Sequence, residues 1–396
     1  MDVVIIGAGI TGLATAISLR RCGHKVTIYE RSSLNNEIGA AINIPPNASR
    51  FLAPWGLDSH KLGFVASKGI RFISPSSLEE LHAHDSSAIS REFGAPLYYA
   101  HREDLHKGLK DLATDVNGTG MPVKLHLKSA VTSYNAQTPS ITMNNGNVIT
   151  ADLIVAADGV HSIAIKAISG GSTVPQSAAH TNCSYRFLID AAELEADPET
   201  IFSDRNHQRP VTTIIADPGK KRRLIFYLCR NGKFYNFVVL CYREDMITKS
   251  EDWQAPVDKA EVLDVLSGYH PRVLAAIKKA TEVKRWPLLY RRPVKTWSKG
   301  RLVLAGDAVH PMLPHQAQAG AQGMEDGLAL GLVMNGVTNI SQIEERIEIY
   351  EKIRRNRASS IQILSKVGSD EECPPEIVEF LDGKALPSEL SQVKIS

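Results

Sequence analysis

The chain spells one structural phrase twice. Its first residues, DVVIIGAGITGLATAISL, run an apolar strand into a glycine turn and the start of a helix. Near the other end, Arg301 to Gly327 reads RLVLAGDAVHPMLPHQAQAGAQGMEDG, and again an apolar strand meets a glycine turn (Gly306-Asp307) before a helix that opens around Gly320. Such turns bind phosphate, because the unpaired backbone N–H groups at a helix start attract anions. A chain that carries this grammar at both ends is constrained to a nucleotide-binding sheet begun at one terminus and completed near the other.

Between the two phrases the texture changes. Strand Val3–Ile6, a helix from about Thr11 to Arg21 and strand Lys25–Tyr29 form a βαβ unit, with Gly23 where a helix end wants glycine. A turn-rich NIPPNASR and a short helix near Phe51-Leu52, broken by Pro54, come next. VKLHL, AVTSY and ITMNNGNVIT read as short strands, the last a hairpin on an Asn-Gly turn. DLIVAADG then reads as a buried strand rejoining a parallel sheet. From about Ser172 to Trp286, segments such as SYRFLID, VTTIIAD, RRLIFYLCR and FYNFVVLCYR suit antiparallel strands with one face covered. A helix pair broken by His270-Pro271 and a long helix from about Ser341 to Gly368 complete the chain, the basic KIRRNR face of that helix being read as solvated. The expected fold is α/β: a Rossmann-like cofactor domain (1–170 and 287–368, the second part with the C-terminal helix) interrupted by a β-rich substrate domain (171–286), with a tail at 369–396.

Composition excludes several classes. At 396 residues, with 43% hydrophobic and 22% charged side chains, the chain is ordinary globular material. A net charge of +2 gives no footprint for nucleic acid, and the run Lys220-Lys221-Arg222-Arg223 reads as a solvated turn after Asp217-Pro218-Gly219. Five scattered cysteines without CxxC spacing define neither a disulfide framework nor a metal site. The first strand begins at residue three, which leaves no room for a leader, and GLALGLVMNGV is too short to span a bilayer. A cytoplasmic protein with no membrane span is expected. Nothing sets an oligomeric state.

GAGITG places glycines at 7, 9 and 12 after a strand and before a helix, and Glu30 ends the next strand. Gly7 serves the tight turn, Gly9 the close approach of pyrophosphate, Gly12 helix–strand packing, and Glu30 a ribose diol. This unit alone does not separate NAD from FAD. The second phrase does, because NAD held by one βαβ unit needs no distant second contact, as an NAD-linked dehydrogenase would have it. FAD is long: Asp307 can meet its ribityl or ribose hydroxyls, while N–H groups after Gly320 meet a phosphate or the flavin edge where charge builds on reduction.

GAGITG…YER, VAADGVHS and LAGDAVHPMLPHQAQAG together resemble the three fingerprints of the single-component FAD-dependent aromatic hydroxylases, the flavoprotein monooxygenases that include p-hydroxybenzoate and salicylate hydroxylases. GAAINIPPNASRFLAPWGL, HREDLHKGL, YNFVV and YHPRV are smaller matches, and the likeness runs to about Gly368, closest in flavour to the fungal secondary-metabolite branch. The resemblance implies FAD as cofactor, NAD(P)H as reducing co-substrate, O2, and transfer of oxygen from a flavin C4a-hydroperoxide to an electron-rich aromatic ring. It implies cofactor contacts from Gly9, Gly12, Glu30, Ala41, Arg102, Asp158, Gly159, Asp307 and Gly320. One departure stands out: the family has an arginine about seven residues after the Asp of the middle motif, and here stands Ile165, with Lys166 next. A point ammonium does not reproduce a forked guanidinium, so the choice and affinity of the reductant stay open. Arg186 and Tyr227, at inward strand positions, are the candidates to hold a phenol as phenolate, by charge-assisted hydrogen bonding and by orienting its proton. His310 and His315 flank the flavin-side loop and are left out of the catalytic set. Epoxidation of an alkene or indole, or flavin binding without turnover, are the alternative functions.

Overall fold

In the computed structural model, residues 1–34, 40–170, 176–177, 182–200, 210–244 and 257–366 are described. The tail expected at 369–396 and Cys373 lie outside them. Two large sheets organise the chain. The first has six strands in the order Ser298–Lys299, Leu302–Leu304, Leu153–Ala156, Asp2–Ile6, Lys25–Tyr29 and Lys124–His126. All pair in parallel except the edge strand Ser298–Lys299. Their near-continuous apolar runs follow from burial on both faces: Ile5, Ile28, Leu153–Ala156 and Leu302–Leu304 are all closed to solvent. The N-terminal strand, the strand of the middle motif and the strand of the Gly306 motif are therefore adjacent, with Ile154 paired between Val4 and Leu302.

The two ends of the chain also meet as helices. Helix Ile10–Arg21 packs along helix Ala319–Met334. The contact is a glycine seam: a Cβ on Gly323, Gly327 or Gly331 would come within 2.1, 2.5 and 2.5 Å of Thr11, Thr15 and Ser18. With i, i+4 spacing these glycines share one helix face. The seam is what fixes the distant C-terminal motif to the N-terminal one.

The second sheet has seven strands in the order Lys284–Pro287, Cys183–Asp190, Phe234–Cys241, Arg222–Cys229, Val211–Asp217, Gly69–Ile73 and Glu80–Asp85. The four strands read from the sequence pair antiparallel, as their alternation suggests. Gly69–Ile73 and Glu80–Asp85 join them from the first third of the chain, Gly69–Ile73 lying parallel to Val211–Asp217. One face, with Tyr185, Phe187, Phe226, Phe237 and Val239, packs on helices Lys259–Val265 and Pro271–Lys278. The other, carrying Arg186, Leu188, Ile225, Tyr227, Asn236 and Val238, turns toward the six-stranded layer. Between the layers lies a small sheet of Ala41–Ile44, Tyr98–His101 and Val65–Ala66.

Three local expectations need correction. Pro54 does not break a helix; it lies inside Leu52–Trp55, in a first turn whose N–H groups have no intrahelical partner anyway. The basic run after Asp217 is solvated only at Lys220 and Lys221. Arg222 turns inward, onto Asp217 at 2.9 Å and over the Tyr269 ring, and Arg223 meets His315 Nδ1 at 3.1 Å from the opposite face. The KIRRNR stretch lies on helix Ile343–Leu364, but Arg354 within it is buried and fully engaged.

Candidate active site

Ligands of open parallel sheets bind outside the carboxyl ends of the strands, where the strand order reverses. Here the reversal falls between Asp2–Ile6 and Leu153–Ala156, and the three motif turns follow the carboxyl ends of adjacent strands. Gly7 has φ +98°, and a Cβ on it would lie 2.4 Å from the Ala157 carbonyl oxygen. Gly12 is just as closed, 1.9 Å from the Gly7 oxygen, whereas a Cβ on Gly9 would meet nothing. So Gly7 and Gly12 are required by packing, and Gly9 faces open space at the start of helix Ile10–Arg21, where a phosphate would lie.

Glu30 is held rather than loose. Its Oε2 accepts the Ala8 N–H at 2.8 Å and its Oε1 the Ser32 N–H at 2.7 Å, which leaves further lone pairs for a diol. Glu30→Gln keeps the shape but sets an amide NH2 against one of these two donors. FAD affinity of the apoprotein, followed by quenching of flavin fluorescence, is expected to fall about tenfold, the cost of a weakened charge-assisted bond.

Asp307 is exposed, yet burial is the main cause raising its carboxyl above the ordinary range, with the charges of His310 and Arg102 pulling the other way. An accessible carboxylate surrounded by protein lines an interior cleft. Asp158 accepts the Tyr134 hydroxyl at 2.7 Å, and burial raises it too. Gly159 follows at φ +83°, with open space where a Cβ would be. A Cβ on Gly320 would come 2.8 Å from Cδ1 of Ile42, the movable end of that side chain. Arg102 opens helix Arg102–Thr114, and its charge acts on both Asp307 and Arg186. Ala41 is buried and gives its N–H to Asn236 Oδ1 at 2.9 Å, tying the loop strand to the seven-stranded sheet.

Ile165 belongs to the core of the first layer, and Lys166 points to solvent. A guanidinium nevertheless reaches this region from elsewhere. Arg291 is buried and donates to the Val160 and Ala308 carbonyls, both at 2.8 Å, so it straddles the middle and last motif turns beside Asp158 and Asp307. Nothing in the spacing of Arg291 signals this. Asn236 was also missed as an individual residue, though YNFVV contains it.

On the facing sheet Arg186 and Tyr227 come together. The strand register sets Arg186 beside Val238 and Tyr227 beside Asn236, on one face. Burial pushes the Tyr227 phenol well up despite the opposing Arg186 charge, so it is a donor at neutral pH. Its ring stacks on Tyr99 at 4.6 Å, and Tyr99 is pinned by Ser67 and Thr212 at 2.5 and 2.9 Å. Arg186 keeps its charge although burial lowers its pKa.

An open approach at Gly9, a pinned acid at Glu30 and a cleft-lining acid at Asp307 fit an extended dinucleotide laid across the strand ends. The comparisons agree. Residues 1–363 match the FAD binding domain family. An FAD-dependent monooxygenase of Aspergillus candidus, cfoG, is 45% identical over 98% of this chain and 90% of its own length. Hispidin-3-hydroxylase of Neonothopanus nambi is 34% identical over 91% and 86%. The crystal structure of CtdE with FAD and a substrate shares the fold at a TM-score of 0.79, covering 92% of this chain and 88% of that one at 21% identity. The chain belongs to the FAD-dependent monooxygenases of the aromatic-hydroxylase type, with FAD as cofactor and NAD(P)H as the reductant typical of the family. Among the described residues no helix is long and apolar enough to cross a membrane.

Proposed function

We propose that the protein hydroxylates a phenolic or other electron-rich aromatic ring in secondary metabolism, using NAD(P)H and O2 and holding its substrate as the phenolate between Arg186 and Tyr227. The observation that carries this reading is the missing counter-ion of Arg186. Among the described residues its partners are the Ser184 hydroxyl at 3.3 Å and the Trp286 ring at 5.7 Å, with no carboxylate. Besides the Tyr227 phenol, the group whose charge acts on it is a second cation, Arg102. A half-buried guanidinium without an anion is destabilising, and an anionic substrate oxygen relieves that cost. An epoxidase of a neutral alkene or indole has no use for such a charge.

When bound, FAD would supply the two-electron chemistry by which NAD(P)H and O2 put one oxygen atom on the ring and release the other as water. Gly9, Glu30, Arg102, Asp158, Gly159, Asp307 and the helix start near Gly320 would hold it along the strand ends. Arg186 binds the phenolic oxygen and favours its ionised form, which makes the ring electron-rich. Tyr227, protonated and rigid against Tyr99, donates to the same oxygen and fixes the ring's angle. The apolar side chains Leu188, Ile225 and Val238 exclude water around it. In this reading the six-stranded layer is the cofactor-binding part and the seven-stranded layer the substrate wall.

The test is anaerobic reduction of the flavoprotein by NADH or NADPH with and without a panel of phenols, then oxygenation and product analysis. Faster bleaching with a phenol, followed by a hydroxylated product, supports the reading. Equal turnover of neutral alkenes or indoles with no response to phenols overturns it. Tyr227→Phe is expected to lower kcat about tenfold to a hundredfold and to move the acidic limb of the pH profile for phenol turnover, where the bound phenol ionises, to higher pH, while FAD content stays unchanged.

A further inference from the structure

The C-terminal helix reaches the cofactor turn through a buried ionic chain. Asp326, closed to solvent, accepts the Gly306 N–H at 2.8 Å and His310 Nε2 at 2.6 Å on one oxygen. Its other oxygen accepts Arg354 Nε at 2.7 Å. Arg354 donates onward to Glu325, to the Gln322 carbonyl at 3.1 Å and to Gln322 Oε1 at 2.7 Å. Glu325 is held in turn by Asn47 at 2.6 Å and Arg357 at 2.8 Å. The Gly306 N–H and Arg354 Nε are donors, and with His310 carrying its proton on Nε2 a carboxylate satisfies all three. Burial works against that charge, and His310 and Arg354 more than offset it, holding the group below its ordinary range.

Gly306 stands directly before Asp307, the acid that faces the cleft. On its other side a Cβ would strike Thr11. The turn is thus clamped between Thr11 and Asp326, and His310 and Arg354 together favour the ionised form of Asp326. We propose that Arg354 of the C-terminal helix is a positioning residue for the cofactor: acting through Asp326, it fixes the Gly306 N–H and hence the direction of Asp307. This inference concerns FAD alone and does not rest on the identity of the substrate.

The test uses the full chain, stripped of flavin and titrated with FAD, with the melting temperature of the apoprotein measured in parallel. Arg354→Met is expected to weaken FAD binding about ten- to hundredfold, the range seen when a residue orienting a ligand-holding group is removed. It should also shift the visible spectrum and reduction potential of the flavin that remains bound. Arg354→Lys, which keeps the charge but not the fork, should recover part of the affinity. Should Arg354→Met fail to fold, Arg357→Gln loosens Glu325 from a half-exposed position, and a severalfold weakening of FAD binding is expected. FAD affinity and potential equal to the unaltered protein's in a folded Arg354→Met or Arg357→Gln variant, whatever its melting temperature, overturn the proposal.

Discussion

Arg186→Met is expected to lower kcat/KM for the preferred phenol by about 10²–10³-fold, with FAD content and spectrum unchanged. Removing a charged donor that meets the developing charge of the substrate costs about 3–4 kcal/mol of transition-state stabilisation. The same substitution should leave the melting temperature of the substrate-free protein unchanged or raise it. Met fills a similar volume and removes a cation that has no carboxylate partner among the described residues. Opposite effects on activity and stability mark a group retained for function at a cost to the fold. Arg186→Lys should lie between, since it keeps a charge without the fork. The checks are steady-state kinetics across pH and thermal melts with and without the phenol, which should stabilise only the unaltered protein strongly. A melting temperature that falls in the Met variant while kcat/KM holds would make Arg186 a structural residue and remove the basis for a phenolate.

Local pattern makes much of this fold legible. Val3–Ile6 and Leu153–Ala156 read as buried parallel strands because apolar runs ending in glycine turns have few other uses. The hairpin at Asn145-Gly146 and the helix start at His270-Pro271 follow from turn and cap chemistry that acts within a few residues. What escapes the pattern is set by partners far along the chain. Arg354 looks like one more cation on a charged helix face, and only the position of Asp326 on a neighbouring helix makes it a buried one. Arg222 alternates inward because Asp217 and the Tyr269 ring are there to receive it. Arg291 has no motif at all, and its place is fixed by two carbonyls from separate turns. Gly69–Ile73 could not be assigned to the second sheet, because its partner strand, Val211–Asp217, follows far downstream in the chain. In the candidate site, backbone-dictated residues such as Gly7 and Gly12 were visible, and charges satisfied across layers were not.

The junction of the two glycine phrases is the point where a single methyl group should do most damage. Gly306→Ala forces an L side chain to φ +63°, and the new Cβ would lie 2.3 Å from Thr11 Oγ1 and 2.8 Å from its Cγ2. The left-handed conformation alone costs about 1–2 kcal/mol, and a forced overlap in a packed junction adds about 1–3 kcal/mol. Relief requires the turn to move, and with it the Gly306 N–H bond to Asp326 and the aim of Asp307. The expected result is a melting temperature lower by several degrees and a protein purified largely without flavin. Gly323→Ala separates the causes. Its Cβ would come 2.1 Å from the same Thr11 oxygen, but from a regular helix and without the backbone penalty. It should therefore destabilise by loosening the helix seam while retaining more FAD than Gly306→Ala. Thr11→Ala combined with Gly306→Ala removes the hydroxyl and methyl contacts and should restore part of the melting temperature. Because the left-handed strain and the displaced turn remain, FAD binding should recover less than stability does. Full recovery of both would show that steric overlap alone governs the site and that the turn's backbone geometry does not matter to the cofactor.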